Sequence, residues 1–313
     1  MNGQAAAHFR RALAAEPANI RAARALGTTL SFDGQRAEGR AVLLAAVQRD
    51  PRDPLVRYDL ALTYGVYLSE SGQPPAEITT AIEQLDAGLA VQPLAGLLNA
   101  KAIAQGGWLG DVPAMRATLA QLEKLPLAER AEDRAVFTAM WGALLDREPL
   151  RVAVASALTA KDYFEDTVVP RRAKDWTLAI AHRLEKKDSL ARLDWQRAET
   201  VLRQRLRDDP NNQTRVVELA TTLAWLGRTD EALLAVAPVE AMAREEPTSQ
   251  RSRVLADFYA AVGDATKAAP YIRQALNQNV FLTSKTLRLD PWFDKLRGQP
   301  EFEALLGEPA AKP

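Results

Sequence analysis

The chain has 313 residues, 40 of them basic and 40 acidic, so its formal net charge is zero and no overall field draws it to nucleic acid or an anionic membrane. Apolar residues make up 47% but aromatics only 6%, with Ala, Leu, Arg and Glu abundant, a mixture of high helix propensity whose small side chains let helices approach closely. Without cysteine there are no disulfides, thiolate metal ligands or cysteine nucleophiles, and the longest uncharged run, 87 to 100, is broken by Pro93 and too short to span a bilayer.

In chain order, Ala5, Phe9, Ala12 and Pro17 have the pattern of the second helix of a hairpin. No first helix precedes them, which predicts a fragment that starts mid-unit. Pro17 and Pro51, 34 residues apart, enclose a full hairpin: Ala23, Leu26, Gly27 and Leu30 form one helical stripe, Gly34 stops it, and Gly39, Leu43, Ala46 and Val47 form the next. A third hairpin opens at Leu60, Ala61 and Tyr64. Its closing proline, Pro93, comes eight residues late, so a longer first helix and a loop around 66 to 75, with Ser71, Gly72, Pro74 and Pro75, are expected. Leu97, Ala100 and Ile103, then Met115, Leu119 and Leu122, make a fourth. From 127 to 188 the register is lost; helices are expected near 150–160 and 176–184, with Val168, Val169 and Pro170 as a break. The register returns at Trp195, Ala198 and Leu202 and continues in hairpins ending at Pro247 and near Ile272.

The framework residues Ala23, Leu26, Gly27, Leu30, Gly34, Gly39, Leu43, Ala46 and Pro51, and above all the run 219–232 (LATTLAWLGRTDEA), resemble the tetratricopeptide repeat (TPR), whose period is 34. The resemblance implies an all-α, right-handed superhelix of antiparallel hairpins. From Val169 onward, the succession ending in 287–302 (LRLDPWFDKLRGQPEF) resembles the TPR half of bacterial Ser/Thr kinases and related signalling regulators, although Gln299 and Glu301 replace the usual Asp and Arg. The expected organisation is an array over 1–126, an irregular helical segment over 127–188, a second array over 189–281 and a capping tail over 282–313. In that tail Trp292, Phe293 and Phe302 would close the last hairpin.

No phosphate-binding glycine loop and no kinase signature occurs, so no catalytic residue, cofactor or metal is expected. His8 and His182 lack a neighbouring ligand, and His182 is expected on an exposed helix face. Asp208-Asp209 and Glu245-Glu246 belong to solvated turns. Arg171, Arg172, Lys174, Arg183, Lys186 and Lys187 around Trp176 are the one basic cluster. Asp175, Glu185 and Asp188 interrupt it, which argues against a nucleic-acid site.

Binding follows from the architecture. First helices of such units line a concave groove, and the register places Arg21, Arg24, Thr28, Tyr58, Leu62, Lys101, Thr221, Trp225, Arg251 and Phe258 on it. This mix suits a protein or peptide partner, an acidic or carboxylate-bearing segment in particular. The alternatives are a small-ligand pocket at 127–188 or self-association through the N-terminal end. Neither membrane contact nor nucleic acid is expected, and a cytoplasmic location is favoured over a periplasmic one.

Overall fold

The computed structural model describes residues 2–69, 74–164 and 172–307. After a single helix α1 (Asn2–Ala15), seven helix hairpins follow among the described residues. The first three are α2 (Ile20–Phe32) with α3 (Arg36–Arg49), α4 (Pro54–Leu62) with α5 (Ile78–Leu89), and α6 (Ala95–Ile103), prolonged by a π turn at Ala104–Leu109, with α7 (Val112–Leu122). A short α8 (Leu127–Arg130) leads to α9 (Asp133–Leu145) with α10 (Pro149–Ser156). Then come a two-stranded ribbon, β1 (Tyr163–Phe164) antiparallel to β2 (Arg172–Ala173), and α11 (Lys174–Leu184) with α12 (Asp188–Asp208). The last hairpins are α13 (Gln213–Trp225) with α14 (Thr229–Glu245) and α15 (Ser249–Val262) with α16 (Ala265–Ala275). The tail holds α17 (Thr286–Leu289), a 3-10 turn at Pro291–Leu296 and α18 (Pro300–Gly307).

Side-chain caps explain where the first helices start. Asn19, Asp53, Asn212 and Thr248 each accept a hydrogen bond from a backbone N–H of the first turn of α2, α4, α13 and α15. The turns of five hairpins share one geometry, in which a left-handed residue follows the helix and the next N–H reaches back five residues. Gly34, Gly227 and Gly263 supply it with φ of 81°, 82° and 87°. The same five-residue bond closes the hairpins α9/α10 (Glu148 N–H to Ala143 O, 2.8 Å) and α11/α12 (Lys187 N–H to His182 O, 2.8 Å). There the left-handed residue is Arg147 or Lys186 instead of glycine. The stretch 127–188 therefore contains a complete hairpin and the first helix of the next, while Val168, Val169 and Pro170 lie outside the described residues.

The extra residues of the third hairpin do not lengthen its first helix, because α4 ends at Leu62. Residues 63–69 instead turn outward at Gly65 (φ 83°) and run to the C-terminal tail. Leu68 bridges Asn279 in antiparallel fashion, the Val280 N–H bonds Tyr67 O at 3.0 Å, and the Ser69 N–H bonds Gln278 O at 3.1 Å. The indole N–H of Trp108 meets Val66 O at 2.8 Å. Ser71 and Gly72 lie outside the described residues.

The tail is more than a terminal cap. Phe293 stacks on Phe302, and α18 packs on α16, the second helix of the last hairpin. Residues 277–296, however, fold back along the first helices of earlier units. Thr283 Oγ1–H bonds Gly107 O at 2.6 Å, Phe281 stands edge-on to Phe137 and Trp141 on α9, and Trp292 stacks on Trp176 of α11 at 5.0 Å. The Trp292 indole N–H reaches Asp257 O on α15. Arg147, in the α9/α10 turn, makes two bonds to Asp294 at 2.7 and 3.1 Å. Val280, Phe281, Leu282, Leu287, Phe293 and Leu296 are at most 1% exposed, which makes this segment part of the core.

Candidate functional site

The wall built by first helices has two different stretches. On α2 and α4, Arg24 Nε–H bonds Asp59 across neighbouring units at 2.6 Å, and burial pushes the Asp59 carboxyl up while that bond opposes it. Thr28 is half-buried and its hydroxyl donates to Arg24 O. Arg21 is exposed, with no ion pair among the described residues. Tyr58 lies over Gly96 of α6, whose missing side chain leaves about a van der Waals contact (3.8 Å to an added Cβ), and its hydroxyl accepts from Arg134 Nη1 of α9 at 3.0 Å. Among the described residues no hydrogen bond or ion pair joins 277–307 to α2.

From α6 to α15 the wall is covered by the tail, and several residues expected in an open groove are displaced from it. Phe258 is fully buried and Thr221 is 1% exposed with its hydroxyl bonded to Val217 O, so neither offers a surface. Leu62 packs against the main core. The Lys101 ammonium pairs with Asp86 on α5, the second helix of the preceding hairpin, at 2.5 Å. Helical phase alone located these faces, and it could not show that a segment of the same chain would fill the space in front of them.

Trp225 is half-buried in a four-tryptophan cluster, stacked on Trp195 at 5.3 Å and edge-on to Trp292. Arg183 and Lys295 place their cations 4.5 and 3.7 Å from its ring centroid. Lys295 also donates to Ala261 O at the end of α15; burial first, then the charge of Arg183, lowers its pKa to about 8. Arg251 is half-buried at the start of α15, with Nε–H to Gln213 Oε1 at 3.3 Å and Nη1–H to Glu246 O at 2.5 Å.

Where the ribbon, α13, α15 and the tail meet, buried charged groups converge that sequence reasoning missed. Glu218, 4% exposed, accepts the Tyr163 hydroxyl at 2.7 Å. Burial raises its pKa to about 8 against the opposing Tyr163 bond and the charges of Arg172 and Arg215. Burial also lowers Arg172 and raises Asp290. Arg172 Nη2 stands 4.0 Å from Asp257, Arg253 bonds Asp257 at 3.1 Å, and among the described residues Arg172 Nε and Asp257 Oδ1 have no hydrogen-bond partner. These residues are scattered from 163 to 290, and no local spacing marks them.

The basic cluster is not one surface. Arg172 is in the buried ionic group, Lys174 Nζ–H bonds Thr159 O, Lys187 pairs with Glu185, and Arg183 lies on Trp225, while Arg171 is outside the described residues. His182 is not exposed as expected. It is half-buried, with Nδ1 at 2.5 Å from Asp194, a 1% exposed carboxylate raised in pKa by burial against that bond. Among the described residues no three His, Cys, Asp or Glu side chains are grouped to hold a metal, and no helix is long and apolar enough to cross a membrane.

The crystal structure of a tetratricopeptide repeat protein from Parabacteroides merdae matches with a TM-score of 0.52 at 12% identity, over 92% of this chain and 97% of that one. The fold is that of a TPR superhelix. Yeast Tom70 aligns at 13% identity with a TM-score of 0.29, over 91% of this chain and 67% of that one. The TPR domain of P58(IPK) aligns at 11% and 0.26, over 98% and 92%. No family model and no curated protein sequence matches the chain.

Proposed function

We propose that this TPR chain is a non-catalytic interaction module that binds a protein or peptide along α2 and α4, and that it serves a bacterial signalling protein. The observation that carries the reading is the wall at Arg21, Arg24, Thr28 and Tyr58, which is polar, aromatic and not bonded to the tail that covers the later first helices. Arginine and tyrosine on a preformed helical surface are the residue types that anchor partners at low entropic cost. A photo-crosslinking amino acid at Arg21, compared with one at Leu234 on α14, 78% exposed, tests it in extract of the native host. A discrete adduct from position 21 alone supports the reading; adducts from position 234 alone, or equally from both, refute it.

The buried Tyr163, Arg172, Glu218 and Asp257 group favours a second reading, a small polar ligand held at the ribbon, because among the described residues Arg172 Nε and Asp257 Oδ1 are a donor and an acceptor without a partner on neighbouring side chains. Thermal shift of the full chain with a panel of zwitterionic small molecules tests it. Absence of any saturable shift removes this reading.

A further inference from the structure

A cavity of about 240 Å³ opens where α13 and α15 begin beside α14. Its floor is apolar, from Val239 and Val254. Its rim is polar, from Gln213, Thr214, Thr248, Gln250 and Arg251. No carboxylate lines it. Glu246, the nearest acid to Arg251, is 3.8 Å from Nη1 with its side chain 82% exposed.

The rim is rich in donors. Arg251 is oriented by its Nε–H bond to Gln213 Oε1 and its Nη1–H bond to Glu246 O, which among the described residues leaves Nη2 without a hydrogen bond. Gln213 is itself tied down, its Nε2–H on the Met242 sulfur at 3.2 Å. The Thr248 oxygen accepts the Arg251 backbone N–H, so its hydroxyl hydrogen is available. Gln250 is exposed at the mouth. A guanidinium edge held in place by its neighbours is the group that recognises a carboxylate with geometric specificity.

Size narrows the occupant. Small-molecule sites run to roughly 300–1,000 Å³, so this cavity is on the scale of one side chain. We propose that it accepts a glutamate side chain of a partner peptide, with the carboxylate on Arg251 Nη2 and the two methylenes against Val239 and Val254. The proposal rests on the reading of the chain as a peptide-binding module and names the chemistry of what it binds.

The test is NMR titration of the full chain with N-acetyl-glutamate amide, N-acetyl-glutamine amide and N-acetyl-alanine, which carries only a terminal carboxylate. A glutamate residue of about nine heavy atoms, backbone included, binds with a Kd on the order of 10 mM. Saturable shifts of the Gln213 and Gln250 side-chain amides with the glutamate probe are expected, weakened at least tenfold for glutamine and lost in Arg251→Gln and in Gln250→Trp, whose exposed position spares the fold. Equal response to glutamine, stronger response to the terminal carboxylate, unchanged binding in Arg251→Gln, or no saturable shift overturns the proposal. If crosslinking from Arg21 succeeds while this titration fails, the module binds its partner without this pocket and only the glutamate assignment falls.

Discussion

Gly107→Ala isolates the closure of the array by its own tail. A Cβ at position 107 would stand 2.6 Å from the Val280 carbonyl oxygen and closer still to its Cγ2, so the obstacle includes backbone, which cannot swing aside. Relief requires the tail to lift by about 1 Å, an overpacking penalty of roughly 1–3 kcal/mol. Lifting it also strains the bond from Thr283 Oγ1–H to Gly107 O and that from Val280 N–H to Tyr67 O, each worth about 1 kcal/mol. Replacing a helical glycine returns up to about 1 kcal/mol of backbone entropy. The net expectation is a loss of about 2–4 kcal/mol in urea unfolding, with altered tryptophan emission. Gly106→Ala is the control, since its Cβ would meet the flexible Met115 side chain, and it should cost less. A Gly107→Ala protein within about 0.5 kcal/mol of the parent would refute the idea that the tail is clamped at this point.

Phe281→Ala removes a fully buried ring edge-on to Phe137 and Trp141 and should cost about 3–5 kcal/mol by denaturant midpoint; a loss under about 1 kcal/mol would mean the site is not packed. Gly227→Ala adds a methyl to open space at φ 82°, so only the left-handed backbone penalty of about 1–2 kcal/mol should register in thermal unfolding. Asp294→Asn, at the partly exposed pair with Arg147, should cost less than about 1 kcal/mol despite its two bonds, and less still in high salt. Glu218 has its folded pKa raised to about 8 from 4.5, so the folded chain holds a proton that the unfolded chain releases. Its contribution is fully present below pH 4.5 and is lost as pH rises through about 8. Urea midpoints at both ends of that window should show a smaller decline in Glu218→Gln than in the parent; parallel curves would count against the shift.

The hairpins were legible wherever a glycine marked the turn. Gly34, Gly227 and Gly263 punctuate the stripes that the 34-residue period picks out, and the structure uses each in the left-handed region. Between 127 and 188 the same turn is made by Arg147 and Lys186, residue types that carry no turn signal, so two ordinary hairpins read as disorder in the register. The extra residues after Tyr64 were visible as a count but not as a destination. Their partner strand lies more than 200 residues away at Asn279, and backbone pairing of that kind leaves no local pattern. For the candidate wall, phase places Arg24 and Tyr58 on first helices but says nothing of their bonds to Asp59 and Arg134, and it did not foresee that Phe258 and Thr221 are buried. The Glu218 group needed four separate segments to be seen at all.

The tail also bears on the order in which the molecule matures. Residues 277–296 follow all seven hairpins, so during synthesis the nascent solenoid leaves the ribosome with Phe137, Trp141, Trp176 and Trp225 still wet. Local hairpin contacts form early and cheaply, but sealing those aromatics waits for a segment that must span most of the sequence. The interval before that late seal is when the unfinished chain is most exposed to aggregation and to chaperone capture.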